Sequence, residues 1–223
     1  METLMPKEKM PDVPPVSNWR TTDQDEINRR KLRAAKEPMR FTNLTPDYPV
    51  FSNFSVESAS GQTYGVELRQ LDPLVASCTC VDFRVNGLCT CKHVEALLHR
   101  LREDDANMGL ALDWGSPRVD LVPDAATGRL MVERNLNLLP APLRGLFDVT
   151  GLALAEHTQE DILTAFGKAG RPALRVSQDV AAWIAQQERN RERVRLRRDY
   201  EQAVRSGRHP AQETKLQIGR AHV

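Results

Sequence analysis

Cysteine is absent from this sequence before position 78 and after position 91. That confinement excludes a secreted disulfide scaffold, which spreads its cysteines to staple distant segments. Also missing is any apolar run near the roughly 18 residues that cross a bilayer. Residues 1–18 are rich in proline and charge and lack the apolar core of a signal peptide. Together these absences predict a soluble, cytoplasmic protein with no membrane partner. Aromatic residues are scarce at 5%, and the hydrophobic fraction is a modest 40%. A chain of 223 residues so composed holds one generous domain or two small ones. Neither sign of charge prevails, because 31 Lys and Arg face 30 Asp and Glu. Only local clustering of bases could therefore mark a nucleic-acid contact.

Catalytic signatures are lacking as well. No G-x-x-x-x-G-K-[ST] phosphate loop is present; Phe166-Gly167-Lys168-Ala169 lacks both the first glycine and the hydroxyl after lysine. There is no D-E-A-[DH] box and no Ser/His/Asp constellation, and His99, His157, His209 and His222 are scattered. No catalytic residue is assigned, no small-molecule substrate is evident, and the chain is not expected to hydrolyse ATP.

What is present reads as an α+β protein. Residues 1–42 form a charged arm, expected to be disordered as far as about Thr22 because it has little to bury. A charged helix is predicted from Asp23 to Glu37, stopped by Pro38. Phe51, Phe54 and Val56, the turn signal Ser60-Gly61, and the alternating Tyr64, Val66 and Leu68 predict a hairpin with one buried face. Asp72-Pro73 leads on to Leu74-Val75-Ala76 and the first cysteines. Beyond His93 the period changes, and Val94, Leu97, Leu98 and Leu101 mark one face of a short helix. Hairpin, cysteines and helix make a module over 43–107. An accessory α/β region follows over 108–215. It has a hairpin around the Asp124 to Gly128 turn, a helix from about Gln159 to Phe166, and a long helix opening at Val180, Trp183 and Ile184 and running to about Arg205.

The cysteines carry the chemistry. Cys78 and Cys80 are two residues apart, so on an extended strand both sulfurs point to one side. Cys91 and His93 share that spacing where a helix begins, which places Cys91 just outside the helix. Ten residues separate the pairs, enough for a loop through Asn86-Gly87 to bring them together. Three thiolates and one imidazole match tetrahedral zinc, and with four protein ligands no position stays open for water. The expectation is one structural Zn²⁺ on Cys78, Cys80, Cys91 and His93, with a formal charge of about −1 that the helix N-terminus and Lys92 favour. Cys89 is a fifth candidate. An alternative set is Cys78, Cys80, Cys89 and Cys91; otherwise Cys89 is a spare or reactive thiol.

Cys78-Thr79-Cys80-Val81-Asp82-Phe83, followed by Leu88-Cys89-Thr90-Cys91-Lys92-His93 and the apolar helix, resembles a SWIM zinc finger. It is similar to the N-terminal region of bacterial Swi/Snf-type DEAD/DEAH helicases, which commonly carry proline at the position of Val81 and glycine at that of Cys89. A weaker likeness covers Tyr64 to Arg69 and Leu174 to Ser177. The resemblance implies a non-catalytic accessory region that contacts DNA, RNA or protein for a helicase core in cis. A stand-alone zinc adaptor, as SWIM proteins serve in recombination complexes, is the alternative. The tail 216–223, ending Ile218-Gly219-Arg220-Ala221-His222-Val223, resembles a translated sequencing adapter. It is read as non-native, cut before a helicase core.

The last helix carries a second, weaker signal. At 100° per residue, Arg191, Arg195, Arg198 and Arg205 share a face opposite Leu196, Tyr200, Ala203 and Val204, and an arginine stripe suits phosphates. Lys92 and Arg100 beside the zinc helix are further candidate nucleic-acid contacts.

Overall fold

The computed structural model describes residues 21–206. The predicted arm up to residue 20 and the tail 216–223 lie outside the described residues. The fold is mixed α+β, with seven α-helices and two sheets among the described residues. The chain divides into two compact units, one ending at Gln178 and the other beginning at Asp179.

Helix α1 (Asp23–Lys36) opens on a capping box: the Thr22 hydroxyl accepts the Asp25 N–H and the Asp25 carboxylate accepts the Thr22 N–H. Strand β1 (Arg40–Asn43), which sequence periodicity did not signal, is followed by β2 (Asn53–Glu57), β3 (Thr63–Leu71) and β4 (Leu74–Cys78). The four make an antiparallel meander in the order β1-β2-β3-β4. The hairpin anticipated around Ser60-Gly61 is the β2–β3 pair, although Phe51 lies before the strand rather than in it.

The ten-residue spacer between the two ligand pairs is not a plain loop. It contains α2 (Val81–Asn86), capped by Gly87 in the left-handed conformation (φ 68°) that favours glycine at this place. Helix α3 (Lys92–Leu101) lays Val94, Leu97 and Leu98 against Val56, Val66 and Leu68 of the sheet. Each such buried aliphatic side chain stabilises the fold by roughly 1.5–3 kcal/mol before entropy is counted. Helix α1 packs along α3. It is fastened by a two-bond ion pair from Arg30 to Asp82 of α2 (3.0 and 2.7 Å) and by Glu37 pairing with Lys92.

After α4 (Asp105–Trp114) comes the second sheet, in which β5 (Val119–Asp124) pairs antiparallel with β6 (Arg129–Val132) and parallel with β7 (Leu174–Val176). The hairpin on the Asp124–Gly128 turn is therefore present. The Arg171-Pro172 break leads into an unanticipated strand. Short α5 (Ala141–Arg144) and α6 (Gln159–Ala169) lie between β6 and β7, and α7 (Gln178–Arg205) closes the described chain. No helix among the described residues is long and apolar enough to cross a membrane.

Candidate metal centre

Local structure delivers the four ligands from two turns. Cys78 is the last residue of β4, and Cys80, two residues on, is the N-cap of α2. Cys91 is the N-cap of α3 in extended conformation, and His93 lies in that helix's first turn, the placement the sequence spacing required. Every ligand is buried: Cys78 and Cys80 are 4% exposed, His93 3% and Cys91 0%. Their ligand atoms lie within 4.8 Å of one another. His93 Nδ1 is 3.8 Å from Cys78 Sγ and 3.9 Å from Cys91 Sγ. An ideal tetrahedron with ordinary zinc bond lengths places sulfur and nitrogen about 3.5 Å apart, so a small contraction would close the group around one ion.

The backbone prepares the sulfurs to carry negative charge. Cys78 Sγ accepts the Cys80 N–H at 3.5 Å, Cys80 Sγ accepts the Phe83 N–H at 3.3 Å, and Cys91 receives the Val94 N–H. Hydrogen bonds from the Cys78 and Cys91 thiols hold Cys80 well below the usual thiol range. Cys78 is pushed far up by its hydrogen bond to Cys80, then by that to Cys91 and by burial. In Cys91, hydrogen bonding to Cys78 lowers the value, but Cys80 and burial outweigh it and push it up to about 12. Three crowded sulfurs thus oppose one another's ionisation, a conflict that a shared cation would relieve. The donor set fits that cation: three soft sulfurs and an imidazole, all dry, could hold a metal ion.

Around this core the supports are specific. The Tyr64 ring stacks on His93 with centroids 4.2 Å apart. His93 Nε2 is buried and meets no hydrogen-bond partner among the described residues. Asn86 holds the turn before α3 by donating to the Thr90 carbonyl at 2.8 Å and accepting the Leu88 N–H at 2.7 Å. Cys89, on that turn, is exposed, adopts φ 56°, and lies outside the group of four.

The candidate nucleic-acid contacts are spread along the chain. Lys92 is engaged by Glu37 and Arg100 by Glu103. On α7, Arg195 pairs with Glu192 at 2.7 Å, and Arg191 donates to Gln187 at 3.4 Å. Arg198 and Arg205 are exposed and make no ion pair among the described residues. Leu196, Tyr200 and Val204, on the opposite side, are about half exposed.

One cluster escaped sequence reasoning. Glu67 (0% exposed) accepts from Arg69 at 3.0 Å, Asn53 at 3.1 Å and the Gln178 N–H at 3.0 Å. Arg175 donates to Asp120 at 2.5 Å and to the Leu68 carbonyl at 3.0 Å, and Arg69 donates to Ser177 at 2.8 Å. The two segments of weaker likeness, Tyr64 to Arg69 and Leu174 to Ser177, therefore meet. Burial alone would raise the Glu67 carboxyl, but Arg175, the Gln178 N–H and Arg69 together bring it below its usual range. The only signal was a charge flanked by apolar neighbours, as in Val66-Glu67-Leu68, Val119-Asp120-Leu121 and Leu174-Arg175-Val176.

No protein-family model matches the chain, and neither a curated protein nor a solved structure matches it.

Proposed function

We propose that Cys78, Cys80, Cys91 and His93 hold one structural zinc ion, and that the chain is a SWIM-type, non-catalytic accessory region that presents nucleic-acid or protein contacts. The observation that carries the metal reading is the burial of three cysteines and a histidine in one group. When bound, zinc supplies cross-linking and charge compensation. The chain's own residues place the sulfurs, exclude water and feed each sulfur a backbone N–H. Zinc is favoured over harder ions by the sulfur-rich donor set.

The resemblance to Swi/Snf-type helicases gives the wider reading: a module acting in cis with a helicase core, with the Arg191, Arg195, Arg198 and Arg205 stripe as its phosphate contact. The exposure of that stripe supports this. A stand-alone adaptor that binds another protein, for example in DNA recombination or repair, is the second reading. It is favoured by Val81 and Val85, which stand 64% and 74% exposed one turn apart on α2 beside the metal group.

Metal content by mass spectrometry tests the first claim, with one zinc per chain expected in wild type and in Cys89→Ser. Loss of zinc in that variant would move the site onto Cys89. Salt-dependent binding to DNA and RNA tests the second. Replacing Arg191, Arg198 and Arg205 together should weaken binding and flatten its salt dependence by about one phosphate contact per arginine. Unchanged binding would leave the adaptor reading in possession.

A further inference from the structure

The corner where β7 gives way to α7 lies against the loop that carries two of the four ligands. Gln178 Nε2 donates to Ser77 Oγ at 2.6 Å and to the Gly65 carbonyl at 3.4 Å, while its backbone N–H reaches Glu67. That same Gly65 carbonyl accepts the Thr79 N–H at 3.0 Å, and the Gly65 N–H donates to Thr79 Oγ1, also at 3.0 Å. Thr79 is the residue between the ligands Cys78 and Cys80, and Ser77 directly precedes them. On the other side, Gly65 sits between Tyr64, which stacks on His93, and Val66, which pairs with Cys78. A Cβ at position 65 would come 2.7 Å from Gln178 Oε1 and so push that amide from its place, while meeting Thr79 Cγ2 at 3.4 Å.

We propose that Gln178 is a positioning residue of the metal centre, so that metal binding at Cys78 and Cys80 and the seating of the Ser177–Gln178 corner are energetically coupled. The proposal rests on the reading of the four ligands as a metal centre. Its physical basis is a shared acceptor. A ligand loop held in one place offers Ser77 Oγ and the Gly65 carbonyl to Gln178 together. A seated Gln178 in turn fixes the two strands from which the loop springs. Coupling of this kind is reciprocal: whatever factor the metal adds to the seating, the seating adds to the metal affinity. Two part-buried side-chain hydrogen bonds, one short and one long, set that factor at roughly 5- to 30-fold. Metal occupancy is thereby felt at the first residue of the helix that carries the arginine stripe.

The test uses the full chain and zinc itself, titrated in competition with a chromophoric chelator. Gln178→Ala and Gly65→Ala should each still bind one zinc, but roughly 5- to 30-fold more weakly. Val132→Ala, a destabilising change in the other sheet, should keep wild-type affinity and so separates coupling from general loss of stability. In wild type, amides of residues 174–178 should exchange faster by a similar factor once zinc is withdrawn. Wild-type zinc affinity in both Gln178→Ala and Gly65→Ala, with exchange at 174–178 indifferent to zinc, would overturn the coupling. Absence of stoichiometric zinc in wild type would instead overturn the metal-centre reading beneath it.

Discussion

Among the described residues two polar clusters stand out in the interior, and they balance charge by different routes. Around Cys78, Cys80, Cys91 and His93 the chain gathers electron-rich atoms with no lysine or arginine in the group. Around Glu67 and Asp120 it brings its own countercharges, Arg69 and Arg175, and adds Asn53, Ser177 and the Gln178 N–H to the remaining hydrogen-bonding positions. The first could take a cation from solution. The second is complete as soon as the strands meet. A charged group inside a protein must be paired or neutralised, and the comparison separates pairing that the sequence supplies from pairing that it requests.

Withdrawing the metal should have the largest effect. Binding at a closed site of this kind is worth on the order of 10 kcal/mol, much of it folding free energy. With a strong chelator present, amide protection across α2 and the first turns of α3 should collapse while β5 and β6 keep theirs. Protection that survives in α2 would mean that the sulfur cluster is as self-sufficient as the ionic one.

Next comes Arg175→Ala, which strands Asp120 and weakens the hold on Glu67. Breaking one partner of a buried pair typically costs about 3–5 kcal/mol, readable by denaturant unfolding of the zinc-loaded protein. A loss under about 1 kcal/mol would show that the network is dispensable.

Acid should separate the clusters by a smaller margin. The Glu67 carboxyl is lowered in the folded protein from an ordinary value of 4.5. Its contribution to stability is thus fully present above pH 4.5 and is lost as pH falls through the lower folded value. Glu67→Gln should flatten the stability profile in that window, read as the difference from wild type at the same metal content so that the titration of the thiols cancels. A profile identical to wild type below pH 4.5 would remove Glu67 from the account.

The smallest effect belongs to Cys89→Gly. Cys89 holds φ 56°, a conformation that costs a non-glycine residue about 1–2 kcal/mol. Glycine's own entropy returns part of that gain. A net stabilisation of roughly 0.5–1 kcal/mol is expected, with zinc stoichiometry unchanged. Destabilisation, or lost zinc, would give Cys89 a part in the metal cluster.

The metal corner was legible because its information is local. Two pairs of ligands, each two residues apart, and a change of hydrophobic period after His93 specify the turns almost without tertiary context. The helix inside the spacer was hidden by its length of six residues and by having no fully buried side chain; it is held by its Cys80 cap, by Arg30 and by the single partly buried Phe83 against the core. Position 81, proline in the resembled pattern, is the first residue of that helix, where proline costs no hydrogen bond. The ionic cluster was illegible for the opposite reason. Alternation in Val66-Glu67-Leu68 assigns Glu67 to the face away from the apolar core, and alternation alone reads that face as solvent. Only the pairing of Arg175 with Asp120, 55 residues apart in sequence, reveals that the face is covered.

Strand β4 is the outer strand of its sheet, and an outer strand is where a sheet recruits strands from neighbouring molecules. Here the last residue of that strand is the candidate ligand Cys78, and the chain turns away at once into α2. An ion held by the four candidate ligands would pin that edge at its end, beside the turn into α2.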